Sequence, residues 1–183
     1  FDRKKPMKKQ TGIALAVTAV VAAAGLYASP YWTLHSIAKA VENKDAAAVA
    51  EHVDFPALRE DLKGKLLLRM QGPLNQPEMA NNPFAGVGQM LAAGMVNQMV
   101  EVFVSPAGVM LMLEKGQPSM KPQIGGPEDA GGDQKRPRFK VRYNGWSKVY
   151  VHPENQKGGF IFHRDGLLSW KLVAMDIPEL DRQ

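Results

Sequence analysis

Four histidines are the residues of this chain best suited to acid–base or metal chemistry, and their spacing favours neither. A zinc-binding helix places two histidines four residues apart, as in H-E-x-x-H, and no such pair occurs. His52 and Asp54 are two residues apart, but a helix junction there gives Asp54 a capping role and leaves His52 at the surface. His35 and Ser36 are adjacent in a helical stretch, so their side chains diverge. The histidines are His35, His52, His152 and His163.

Two other groups could bind a ligand or a partner. Arg59 follows Asp54 by five residues and could form an ion pair with it at a helix start, or bind an anion instead. Lys148 lies between Trp146 and Tyr150, and a two-residue hairpin turn would pair Tyr143 with Trp146. The ammonium would then lie among aromatic rings, as a cation–π contact, a solvent-reaching side chain or the mouth of a pocket. The candidate ligand or partner residues are Asp54, Arg59, Trp146, Lys148 and Tyr150.

Composition excludes several kinds of chemistry. The chain has no cysteine, which rules out disulfides, zinc–thiolate sites and thiol catalysis. Motifs of the G-x-S-x-G, phosphate-loop and G-x-G-x-x-G types are also missing. The sequence therefore predicts no catalytic residue, no cofactor and no metal site. An enzyme of unrecognised type stays open as an alternative, provided that His163 and Asp54 meet in one cleft.

The net charge of +5 is concentrated at the N-terminus. Residues 1–10 contain five basic side chains and one acidic one, so the rest of the chain is close to neutral. A nucleic-acid-binding protein needs a basic surface on its folded domain, so we expect no nucleic-acid partner. Basic residues directly before an apolar run instead indicate membrane topology.

The apolar run Gly12–Ala28 is the strongest single signal in the sequence. Its 17 uncharged residues reach the lower limit for a membrane-spanning helix, about 17 residues. Ser29-Pro30 is expected to end the helix, giving a cytoplasmic tail (1–10) and a transmembrane anchor (11–30). We expect a single-pass protein of a bacterial inner membrane with its C-terminal part in the periplasm. The alternatives are a cleaved signal peptide with secretion to the periplasm, and a buried helix of a soluble protein.

Helices are predicted next, over residues 31–114. Asp45, Asp54 and Ser105 are placed as N-caps, and Gly72-Pro73 as a helix stop. Residues 84–104 are apolar and rich in methionine, but three glycines and the polar strip of Gln89, Asn97 and Glu101 favour a buried core helix over a membrane-inserted one. Alternatively, the methionines line an apolar groove for a lipid or a partner peptide. They are Met90, Met95, Met99, Met110 and Met112.

Strands are predicted after a Gly/Pro-rich flexible loop at 115–137. Charged and apolar residues alternate over Arg138–Tyr143, and Asn144-Gly145 is a strong hairpin signal. A second strand pair surrounds Asp165-Gly166, and Trp170, Leu172 and Ala174 are expected on one face. The predicted fold is α+β: a transmembrane helix, then helices packed on a curved, cone-like antiparallel sheet of three or four strands at 138–178.

Three stretches resemble an uncharacterised bacterial family known as domain of unknown function 2939. They are Pro30–Leu34, the Val53–Arg59 segment VDFPALR with Leu62-Lys63, and the C-terminal Gly166–Leu172 segment GLLSWKL. The resemblance covers residues 31–178 apart from the Gly/Pro-rich insertion. It implies a membrane-anchored or exported protein with no assigned activity, similar in fold to nuclear transport factor 2.

The functional expectation is a non-catalytic, membrane-anchored envelope domain. Its Met- and aromatic-rich interior would bind a small apolar ligand, a lipid or an envelope protein. An enzyme of unrecognised type and a purely structural membrane protein are the alternatives.

Overall fold

The computed structural model describes residues 7–74, 85–116, 118, 138–154, 157–178 and 180. Within them, helices come first and strands last, which confirms the α+β class. The helices are α1 (Met7–Glu42), α2 (Ala46–Ala50), α3 (Phe55–Leu74), α4 (Ala85–Phe103) and α5 (Pro106–Lys115). The strands are β1 (Phe139–Tyr143), β2 (Lys148–Pro153), β3 (Gly159–Arg164) and β4 (Trp170–Asp176). Most of the predicted loop at 115–137 lies outside the described residues.

Helix α1 runs without a break through Pro30, so the prediction that Ser29-Pro30 ends the first helix is wrong. Proline has no N–H, and the carbonyl four residues earlier, that of Leu26, loses its helical donor. The Ser29 hydroxyl donates to this carbonyl at 2.8 Å and restores a hydrogen bond. Helix α3 likewise continues past Gly72-Pro73 to Leu74, because one lost bond in the final turn does not stop a helix.

The predicted N-caps are confirmed. The side chains of Asp45, Asp54 and Ser105 each accept a hydrogen bond from the backbone N–H three residues later, at 3.0, 3.1 and 3.1 Å. Each bond satisfies one of the donors that a helix leaves open at its start. These caps fix where α2, α3 and α5 begin.

The sheet is an open meander in the order β1-β2-β3-β4, with every neighbouring pair antiparallel. Its inner face carries buried cross-strand pairs such as Val149–Phe162 and Val151–Phe160. Beside β4, Val53 forms a parallel bridge with Leu172, so the chain between α2 and α3 covers that edge. The inner face packs against helices to form one core.

Two details of the sheet differ from the sequence-based prediction. Tyr143 pairs with Val149, not with Trp146, because residues 144–147 form a longer turn. The observed partner of Tyr143 is three residues later than the predicted one. Because this shift in register is an odd number of residues, Lys148 and Tyr150 lie on the outer face of the sheet, away from Tyr143. A bulge between β3 and β4 leaves Val173 without a partner strand residue, so Ala174 leaves the face shared by Trp170 and Leu172.

The methionines of α4 are not core residues, contrary to expectation. Met90, Met95 and Met99 are exposed, whereas Val96 and Val100 are buried. The branched valines fall one turn apart on the side of α4 that faces the core, which leaves the longer methionines on the other side. The prediction that the methionines belong to the core is confirmed in α5, where Met112 is buried and Met110 is partly buried.

Gly108 lets α5 approach the end of α4 closely. A Cβ at this position would lie 2.4 Å from the Phe103 carbonyl oxygen, a backbone atom that cannot move aside cheaply. We expect Gly108→Ala to lower the free energy of unfolding by about 1–3 kcal/mol. Gly94→Ala is the matched control, because a Cβ there meets nothing within 4 Å and alanine gains about 0.5–1 kcal/mol in a helix. Thermal unfolding followed by circular dichroism measures both; equal melting temperatures would contradict the close approach.

Candidate functional site

Helix α1 changes its surroundings at residue 25. Before that point its large apolar side chains are exposed, with Leu15, Val20 and Val21 each at least 65% accessible. After it, one side of the helix is buried, beginning with Ser29 and Pro30 and continuing through Thr33 and Ile37. The residues 12–24 thus form an apolar helix with no cover from the described part of the chain. By length and composition α1 can cross a membrane, over Gly12–Glu42.

Arg164 joins the sheet to the point where this change occurs. Its Nη2 donates to the Leu26 carbonyl at 3.2 Å, the carbonyl that Pro30 leaves without a helical donor. Its Nε and Nη1 donate to the carbonyls of Trp146 and Leu167, which lie in the turn between β1 and β2 and in the turn between β3 and β4. The guanidinium also lies between the rings of Trp146 and Trp170, 4.7 and 4.5 Å from their centroids. One side chain therefore connects α1 and both turns.

Two further contacts reinforce the same junction. Trp170 is buried, and its Nε1 donates to the buried Ser29 hydroxyl at 2.9 Å. Tyr143 stacks on Tyr27 with ring centroids 4.6 Å apart, and its hydroxyl donates to the Tyr27 carbonyl. Burial raises the pKa of Tyr143 above its ordinary value, so this hydroxyl stays protonated as a donor. We call Tyr27, Ser29, Tyr143, Arg164 and Trp170 the junction cluster.

An apolar cleft lies beside the C-terminal part of α1, after the residues of the junction cluster. It encloses about 460 Å³ between α1, α5 and the inner face of the sheet. Its α1 wall repeats every three or four residues, which places the wall on one helical face. The charged residues lie at its rim and are Glu42, Lys44 and Glu114. The apolar lining is Leu34, Ile37, Ala38, Val41, Leu113, Phe139, Val151, Phe160 and Phe162.

The five candidate residues from the sequence lie in three separate places. Asp54 caps α3. Arg59 does not pair with Asp54; its Nε lies 3.4 Å from Glu101 on α4, and its guanidinium covers the ring of Phe55. An ion pair across α3 and α4 explains Arg59 without a ligand.

The remaining candidates belong to the sheet. Trp146 lies in the first turn, against Arg164. Lys148 and Tyr150 lie on the outer face, where the Tyr150 hydroxyl donates to Asp176 at 2.5 Å and Arg142 covers the Tyr150 ring. None of the five lines the apolar cleft.

The described structure does not bring the histidines together in a catalytic or metal-binding site. His163 is exposed on the outer face of β3, paired across the sheet with Lys148 and Lys171. Neither His163 nor Asp54 lines the apolar cleft. Within the described ranges, no three histidine or acidic side chains are close enough to share a metal ion.

Sequence reasoning missed the two residues that matter most at the junction, Arg164 and Ser29. A signal existed for Ser29, because a hydroxyl directly before a mid-helix proline can replace the lost donor. Arg164 gave no local signal, since its acceptor lies 138 residues earlier in the chain.

Comparison with known families adds a name to this architecture. Residues 19–112, just over half of the chain, match the family described as "Protein of unknown function (DUF2939)". The chain belongs to this family. The resemblance seen in the sequence is thereby confirmed, although the DUF2939 match ends in α5 and does not include the strands. Neither a curated protein nor a solved structure matches the chain.

The DUF2939 match includes both parts of α1 that differ in surroundings. It begins within the exposed apolar part and takes in Leu26, Ser29 and the α1 wall of the cleft. The description of the family assigns no activity.

Proposed function

We propose that this chain is a single-pass membrane protein whose extramembrane domain binds one aliphatic chain of a lipid or similar ligand. The observation that carries the proposal is the continuity of α1. Its first half is an uncovered apolar helix, and its second half forms a wall of the apolar cleft. One element thus links a membrane-spanning part to a binding cleft.

Lipid is the natural surrounding for the first half of α1. A helix that is apolar on all sides is stable only inside a protein or inside a membrane, and no described residue covers this one. Residues 12–32 would span about 30 Å at 1.5 Å per residue, which equals the hydrocarbon thickness of a bilayer. Exposed aromatic residues mark the far end, as at a membrane interface: Tyr27, Tyr31 and Trp32.

The orientation follows from the basic residues before the apolar part. Five Lys and Arg side chains within residues 1–10 favour the cytoplasmic side for the N-terminus. The domain would then lie in the periplasm of a bacterial cell. The junction cluster argues against cleavage after Ala28, which would remove the Leu26 and Tyr27 carbonyls that the sheet contacts, whereas cleavage after Ala24 would leave both carbonyls in place.

The cleft suits an aliphatic chain better than a polar ligand. Its volume of about 460 Å³ falls in the usual range for small-molecule sites, about 300–1,000 Å³. Its walls are aliphatic and phenylalanine side chains, with charge only at the rim. A polar head at the rim and a chain inside would satisfy both regions.

A blocking substitution tests the cleft. Ala38 is exposed and lines the cleft, so Ala38→Trp should fill it and weaken binding of cis-parinaric acid at least about tenfold, or 1.4 kcal/mol. Ser36→Trp is the matched control, because Ser36 is exposed on the same helix and does not line the cleft. Fluorescence titration of the full chain in detergent micelles measures both. Equal affinities for the two variants, or no saturable binding by the wild type, would contradict the proposal.

A protein partner is a second candidate, favoured by the exposed apolar side of α4. Val87, Met90, Leu91 and Met95 are all more than half accessible. Helices α4 and α5 are long and apolar enough for a membrane span only when taken together across a 68° bend, so insertion of this region is less favoured than contact with a protein. Met95→Lys should abolish such contact in a cross-linking assay and leave parinarate binding unchanged.

A further inference from the structure

The two turns of the sheet beside α1 present exposed apolar side chains. Trp146 in the first turn is 67% accessible, and Leu167 and Leu168 in the second are 77% and 50% accessible. Turns are usually built from polar residues and glycine, so three large apolar side chains at adjacent turns need a reason. We call Trp146, Leu167 and Leu168 the turn tip.

The junction cluster fixes the height of the turn tip along α1. Arg164 binds the carbonyls of Trp146 and Leu167 and, at the same time, that of Leu26. Leu26 is 14 residues after Gly12, or about 21 Å along the helix. In a hydrocarbon layer of about 30 Å that begins near Gly12, this height lies about 9 Å inside the far surface.

We propose that the turn tip inserts into the headgroup and upper acyl region of the leaflet from which α1 emerges. The inference rests on the membrane crossing proposed above and adds a second contact with the same bilayer. Tryptophan favours this depth because its ring has an apolar body and a polar N–H, and the leucines gain from leaving water. The sheet would then contact the membrane through the β1–β2 turn and the β3–β4 turn.

The charges near the turn tip are compatible with this position. Asp165 is the acidic residue of the second turn, and Lys171 binds it at 2.9 Å. That bond raises the pKa of Lys171, so the pair keeps its charge balance. Lys148 is exposed two residues after Trp146, at a height suited to lipid phosphate groups.

Depth-dependent quenching of Trp146 tests the proposal. The full chain carrying Trp32→Phe is reconstituted in vesicles of phosphatidylethanolamine and phosphatidylglycerol that contain phosphatidylcholine brominated near the headgroup. Subtracting the emission of the Trp32→Phe/Trp146→Phe protein, which reports Trp170 alone, isolates Trp146. We expect the bromine to remove roughly half of the Trp146 emission, because a side chain at this depth lies about 5–10 Å into the interface.

A tryptophan at the opposite end of the same hairpin is the matched control. His152 lies on the outer face of β2, four residues from Lys148 and so about 13 Å farther along the strand from the turn tip. His152→Trp in the background without Trp32 and Trp146 should lose no emission to bromine.

Vesicles that float with the protein while Trp146 stays unquenched would overturn the turn-tip contact and leave the membrane crossing intact. Shielding of Trp146 from both bromine and aqueous iodide would show a protein on the tip and overturn the inference. Failure to float would overturn the membrane crossing.

Discussion

Replacing Arg164 with alanine should lower the free energy of unfolding by about 3 kcal/mol. The guanidinium makes three hydrogen bonds to backbone carbonyls and covers two tryptophan rings. A hydrogen bond to a charged group contributes about 1.5–3 kcal/mol and a cation–π contact about 0.5–2 kcal/mol, and these are not additive at one side chain. The change also leaves the Leu26 carbonyl with the Ser29 hydroxyl as its remaining side-chain donor.

Two variants separate the role of the several N–H donors of the Arg164 guanidinium from the role of its charge. Arg164→Lys keeps the charge but cannot reach three carbonyls in different directions, so it should restore less than half of the loss. Arg142→Ala removes another arginine from an aromatic ring, that of Tyr150 on the outer face, and should cost about 1 kcal/mol or less. Denaturant unfolding in detergent micelles measures all three variants. Equal effects of Arg164→Ala and Arg142→Ala would contradict the connecting role of Arg164.

Truncating Trp170 to alanine should cost about 3–5 kcal/mol, the largest effect of any single substitution considered. The indole is buried beneath α1, and its removal opens a cavity at the junction of α1 and β4 while leaving the Ser29 hydroxyl without its donor. Such a variant is expected to unfold near 37 °C. The strength of the hydrogen bond between Trp170 and Ser29 is therefore better measured with two milder substitutions.

A double-mutant cycle with Ser29→Ala and Trp170→Phe isolates the hydrogen bond. Each single change should cost about 1–2 kcal/mol, because each leaves a buried polar group unpaired or removes it from its partner. The double variant should be more stable than the sum of the two losses by about 1 kcal/mol, since the bond can be lost only once. Strict additivity would show that Ser29 and Trp170 are not coupled.

Local features of this chain could be predicted from the sequence, because their causes lie within a few residues. Asp45, Asp54 and Ser105 cap helices through their own neighbours, and all three caps are confirmed. The α+β order and the antiparallel pairing of strands also follow from local patterns. The uncovered apolar helix follows from composition alone.

Features that depend on distant partners could not be predicted. Asn144-Gly145 predicted a two-residue turn, but Trp146 is drawn to Arg164, so the turn lengthens and the register shifts. Pro30 predicted a helix end, but Ser29 and Arg164 supply the missing donors. In both cases Arg164, which is distant in the sequence but adjacent in space, contacts the segment that departs from its local preference.

The methionines show the limit of composition as a guide to burial. The sequence predicts a core helix over residues 84–104, yet among the described side chains of α4 the buried ones are Val96 and Val100, while Val87 and Val102 are exposed like the methionines. The buried side of α4 packs against α3 and α5, and the polar residues Asn97, Gln98 and Glu101 are exposed together with the methionines. The lining of the cleft could not be predicted, because it comes from α1, α5 and three strands.

Labelling of single cysteines tests the central claim most directly, namely that α1 is one helix that crosses lipid and then forms part of the folded domain. The chain has no cysteine, so Val20→Cys and Ser36→Cys can be labelled without interference. Both positions are exposed in the folded chain, with Val20 at 68%, so only lipid can make them differ. In sealed vesicles a membrane-impermeant maleimide should label Ser36→Cys and leave Val20→Cys unmodified until detergent and denaturant are added. Equal labelling of both cysteines in intact vesicles would contradict the account.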